Sequence, residues 1–158
     1  MVRRVRWHGE ARLGVEETTR RTPEMSLGDI FLRAASGLPE QDDRAEVVAE
    51  ALDHLQRGFD SHYGTGPGGA TDEDVLVGDN AYAWAVETIS HLDEPRFVEV
   101  ASRMIRDGAG RIAEGGVVTL DLWRPHLAGL LDVISGEGAE RSGERITRAA
   151  GEAEGQSG

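Results

Sequence analysis

The sequence predicts an all-α protein, a bundle of about five helices. Apolar residues recur at steps of three and four along most of the chain, and no strand-like alternation competes with them. Proline, glycine and capping residues divide these runs into helix-sized pieces. With 158 residues, the chain is long enough for one domain with a sizeable core and short for a two-domain enzyme.

Thr22-Pro23-Glu24 reads as a helix start, with Thr22 as cap and Pro23 in the first turn, where a missing N–H costs nothing. Leu27, Ile30, Phe31 and Ala34 then follow at helical spacing until Gly37-Leu38-Pro39. A second helix begins near Asp42, carries Val48, Leu52, Leu55, Phe59 and His62 on one face, and ends at Gly64. Residues 64–69, Gly-Thr-Gly-Pro-Gly-Gly, form a connector. A phosphate-binding loop would need an apolar strand before it and Lys-Ser/Thr after it, and neither is present.

Thr71-Asp72-Glu73-Asp74 supplies a cap and an acidic first turn for a third helix running to about Leu92. Val75, Tyr82, Val86 and Ile89 make an apolar stripe on it, interrupted by Asp79, while Gly78, Ala81 and Ala85 make a strip suited to close helix approach. Asp93-Glu94-Pro95 caps a fourth helix, with Phe97, Val100, Met104, Gly108 and Ile112 on one side until Gly115-Gly116. Val117–Leu120 is the lead-in to a fifth helix. Pro125 is placed in its first turn, Leu127, Leu130, Leu131 and Ile134 face the core, and Gly136 ends it. Three regions result: a basic arm over residues 1–21, a bundle over 22–135 and a disordered Gly/Glu-rich tail over 136–158, helical at most transiently around Arg141–Ala150.

Composition narrows the function. Every one of the 17 basic residues is Arg, and 29 Asp and Glu bring the net charge to −12. Nucleic acid is therefore an unfavourable partner, since phosphate binding is driven by positive charge. Without Cys, there are no disulfides, thiolate nucleophiles, Cys-based zinc sites or iron–sulfur clusters. No apolar run reaches a bilayer-spanning length and the first residues lack the apolar core of a signal peptide, so a cytoplasmic protein is expected. Six Arg against three Glu in residues 1–21 leave that arm at +3, able to grip an acidic partner or remain a solvated terminus.

Chemistry must then come from carboxylates, His or Arg. Asp79, on an apolar stripe, would need a partner, a metal or a cavity. His62 poses the same question, and each also fits a satisfied structural role. His54 and His62 are eight residues apart, about two turns and some 80° around the helix, which does not make the i, i+4 pair of a zinc-binding helix. No Ser-His-Asp or paired-carboxylate arrangement is readable. Trp7, Trp84 and Trp123 read as packing or interface anchors.

The segment Ala51-Leu52-Asp53-His54-Leu55-Gln56-Arg57-Gly58-Phe59-Asp60-Ser61-His62, followed by Val75-Leu76-Val77-Gly78-Asp79-Asn80-Ala81-Tyr82, resembles a helix pair of the trans-polyprenyl diphosphate synthases. The likeness covers roughly residues 45–115. It is closer to the non-catalytic small subunit of heterodimeric heptaprenyl diphosphate synthases, with Asp60-Ser61-His62 and Val77-Gly78-Asp79-Asn80-Ala81-Tyr82 at the motif positions. Such a chain would be a truncated isoprenoid-synthase-like bundle. Catalytic members use Asp-Asp-x-x-Asp clusters to hold Mg²⁺ against a diphosphate, and neither cluster is present here.

The resemblance thus implies a regulatory subunit with no catalytic or metal residues, Mg²⁺ being held by a larger catalytic subunit. Packed on that subunit, it would help form the wall of the hydrocarbon tunnel and set prenyl chain length. Phe59, His62, Gly78, Asp79, Tyr82 and Val86 are the candidate partner-contact or tunnel-lining residues. Two alternatives stand beside it: a homodimeric helical interaction module, and a Mg²⁺-dependent bundle enzyme using Asp79, His62 and Asp60.

Overall fold

The computed structural model describes the backbone of residues 25–62 and 72–157 and the side chains of residues 25–60 and 78–153. Among the described residues there are six helices and no strand: α1 (Leu27–Ala35), α2 (Arg44–His62), α3 (Asp72–Ser90), α4 (Pro95–Ala113), α5 (Leu120–Ser135) and α6 (Ala139–Ser157). The all-α class is as the sequence predicts. The basic arm, Thr22-Pro23 and the glycine-rich connector lie outside the described residues.

Helices adjacent in sequence pack against one another, and α6 returns to α1, so the elements close into a ring. Across its middle, α2 meets α4 and α5, and α1 meets α5. Phe31, Val48, Leu55, Phe97, Met104, Trp123, Leu127, Leu130, Leu131 and Ile146 fill that interior, all essentially inaccessible to solvent.

The start of α1 is built by α2. Ser26 is the cap in place of the expected Thr22, because it forms a reciprocal box: its hydroxyl accepts from the Asp29 N–H at 3.1 Å while the Asp29 carboxylate accepts from the Ser26 N–H at 3.4 Å. The next two free N–H groups donate across the interface, Leu27 to Gln56 Oε1 and Gly28 to Asp53 Oδ1, both at 2.9 Å. Only glycine fits at residue 28, since a Cβ there would sit 2.5 Å from the Ala49 carbonyl oxygen and 2.7 Å from Asp53 Oδ1. Burial pushes the Asp53 carboxyl above the ordinary carboxylate range, against the hydrogen bonds from Ser26 and Gly28 that favour its charged form.

Arg44 opens α2 held on Asp42, with Nη2 at 2.8 Å, and its guanidinium lies 5.8 Å from the centre of the Phe97 ring on α4. That ion pair keeps Asp42 below its usual range. As expected, Glu94 caps α4 with Pro95 in the first turn, and Asp93 before it takes a left-handed φ of 58°. Arg96 holds the Glu94 carboxyl down at about 2 through a fork of two 3.0 Å hydrogen bonds.

Two further expectations are corrected. Helix α5 begins at Leu120, so Pro125 lies inside the helix instead of its first turn. The earlier start carries Trp123 onto the buried face, at the cost of the N–H that residue 125 would have donated to the Asp121 carbonyl. The expected disordered tail over 136–158 instead forms α6. Ser142, Ile146, Ala149, Ala150 and Ala153 bury one narrow face of it against α1 and α5. Small residues are enough here because the neighbouring helices come close, and alanine is the residue least opposed to helix formation.

Candidate functional site

Of the candidate residues, Phe59, Gly78 and Tyr82 lie on the seam between α2 and α3, the most extensively paired helices among the described residues. Phe59 is buried, and its ring lies 5.2 Å from that of Tyr82 on α3 and 5.3 Å from that of Trp123 on α5, tilted by 60° and 58°. These are favourable edge-to-face arrangements. Two glycines make room for them. A Cβ on Gly58 would sit 2.6 Å from the Tyr82 ring and 3.2 Å from the Gly78 carbonyl oxygen, and a Cβ on Gly108 would run into Phe59.

Gly78 is therefore a point of helix contact, buried like Ala81 and Ala85. The small-residue strip faces α2 inside the molecule. Val86 is half-buried one turn beyond Tyr82. Asp79, which interrupts the apolar stripe in the sequence, is exposed on the outer side of α3. The reason is the close approach of α2, which draws Gly78, Ala81 and Ala85 inward together with Ile89 and leaves the side of α3 that carries Asp79 facing out.

The proposed carboxylate–histidine set is not assembled by what is described. Asp60 is half-buried on α2, Asp79 points outward, and the His62 side chain lies outside the described residues. Among the described residues, no group of three or more His, Asp or Glu could hold a metal ion. The seam itself is an apolar packing surface.

On the outside of the same two helices is a cluster whose assembly the linear sequence did not reveal. Trp84 on α3 is half-exposed, at 52%, and stacks on His54 of α2 with ring centres 6.2 Å apart and planes 24° from parallel. Arg57 Nη1 lies 2.8 Å from His54 Nδ1. A guanidinium can only donate, so Nδ1 accepts and Nε2 carries the imidazole proton, with Glu50 at 3.7 Å from it. Burial, and then the Arg57 charge, lower the His54 pKa from its ordinary value of 6.5, which keeps the ring neutral at pH 7. The only sequence signal for this cluster was a large aromatic residue on a polar helix face.

His126 and Asp107 join α5 to α4 through a 2.9 Å contact in which Nε2 donates to the carboxylate. Nineteen residues separate them, so no local spacing reveals the pair. Compared with protein-family models, curated proteins and solved structures, the chain has no significant match.

Proposed function

We propose that this chain is the non-catalytic subunit of a heterodimeric polyprenyl diphosphate synthase. It docks through the Trp84 face of α2 and α3 on a larger chain that holds the aspartate clusters and Mg²⁺. Three things support the reading. The resembling segments fall on two adjacent, tightly packed helices, α2 and α3. The rings of Phe59, Tyr82 and Trp123 pack together between the helices, as a bundle that supplies an apolar wall would require.

The third observation carries the docking role. A tryptophan that is half-exposed yet held in one orientation by a stacked imidazole has already lost the side-chain freedom that binding would otherwise cost. Tryptophan and arginine are the residue types that dominate binding energy at protein interfaces, and Arg57 belongs to the same cluster. A second copy of this chain is the competing occupant of that face.

Co-expression with a polyprenyl synthase chain bearing both aspartate clusters, followed by size exclusion, tests the reading. The proposal predicts a stable heterodimer that Trp84→Ala disrupts. Elution as a homodimer that excludes the synthase chain would replace it with the self-association reading.

A further inference from the structure

Away from the α2/α3 face, and independent of the reading above, α1 and α6 enclose an open groove of about 670 Å³. Its size falls within the usual range for a small-molecule site. Helical spacing builds the walls: Asp29, Arg33 and Ser36 recur along α1, and Arg145, Arg148 and Glu152 along α6. Between them the floor is low because Ala34 and Ala149 meet there, with Leu32 and Met25 as apolar margins. Leu32 is one of the large apolar side chains left exposed, at 37%.

The arginines have different duties. Arg145 is fully engaged, with Nε and Nη2 on the Glu137 carboxylate at 2.8 and 3.0 Å and Nη1 on the Gly37 carbonyl at 2.9 Å. It ties the turn after α1 to α6 and fixes one end of the groove. Arg33 meets Glu152 at 3.3 Å across the groove, an exposed pair of the kind that contributes little. Arg148 has no ion pair or side-chain hydrogen bond among the described residues. In a chain of net charge −12 the groove has a mixed polar and apolar lining, and with Arg33 on Glu152 and Arg145 on Glu137, Arg148 is the guanidinium left uncommitted among the described residues.

We propose that this groove binds a small amphipathic carboxylate, its head group on Arg148 and its apolar body along Leu32 and Met25. A guanidinium presents a planar fork that matches a carboxylate. The overall negative charge opposes anions at long range, so a bare ion gains too little from one exposed arginine, and affinity has to come from apolar burial as well. The same repulsion disfavours a large acidic protein.

Isothermal titration of the full chain with decanoate tests this, with acetate and decan-1-ol as comparisons. The expected result is saturable one-to-one binding of decanoate, at least tenfold weaker binding in Arg148→Gln and in Leu32→Asp, and no change in Arg103→Gln on α4. Both altered groove residues are exposed, and circular dichroism verifies that the variants stay folded. No saturable decanoate binding, equal binding by Arg148→Gln, or equal affinity for acetate or decan-1-ol would each overturn the proposal.

Discussion

Asp53 and Glu94 show how the same functional group takes opposite roles in different surroundings. Burial raises the Asp53 pKa, so the stability associated with its protonated form is fully present below the ordinary value of 3.8 and is lost as pH rises through its folded value. Asp53→Asn keeps an oxygen acceptor for the Gly28 N–H without the charge. The variant is therefore predicted to gain stability relative to the parent between about pH 4 and pH 7, by denaturant unfolding at both values. Glu94 has the opposite sign. Arg96 holds its carboxyl at about 2, so the contribution of this exposed pair is present above the ordinary value of 4.5 and is lost as pH falls through 2. Trp84→Ala is predicted to cost the isolated chain about 1–3 kcal/mol, because about half of the ring is buried and stacked on His54. The same substitution is predicted to weaken partner binding by about 2 kcal/mol or more, measured by titration against the synthase chain.

At the scale of the element, two glycines in α4 make opposite predictions. A methyl group at residue 108 meets Phe59 and Trp123, so Gly108→Ala is expected to destabilise by about 1–3 kcal/mol through overpacking. A methyl group at residue 110 meets nothing within 4 Å, and Gly110→Ala is expected to stabilise by about 1 kcal/mol through helix propensity alone. Thermal unfolding of the two variants separates packing from propensity within one helix. The extents of α2 and α4 were legible because strong one-sided patterns and clear boundary residues agree there, as with Asp42 before α2 and Glu94-Pro95 opening α4. The rotation of α3 was not. It carries apolar residues on more than one face, among them Tyr82, Trp84 and Val86, and the buried face is chosen by the close approach of Gly58 on a different helix. Helix α6 is not legible in the sequence because its buried face is mostly alanine and carries little of the bulk that marks a core.

For the whole molecule, α6 is the closing element of the ring. Its buried residues pack where α1 and α5 would otherwise face water, so it belongs to the domain and is no appendage. Ile146→Ala is accordingly predicted to cost about 2–5 kcal/mol, and a loss below about 1 kcal/mol would contradict the closed ring. The fold class was readable because helical periodicity is a local property. The candidate site was readable only in part, since Phe59, Gly78 and Tyr82 do meet, whereas the outward position of Asp79 and the Trp84–His54–Arg57 cluster depend on how two helices rotate against each other. The proposed function makes this chain a subunit that would supply structure to a partner's chemistry. Prenyl transfer by the catalytic chain, measured alone, with this protein and with its Trp84→Ala variant, tests that most directly. The account predicts long-chain product only when the parent protein is added and its loss with the variant. Equal activity and equal product length in all three mixtures would contradict it.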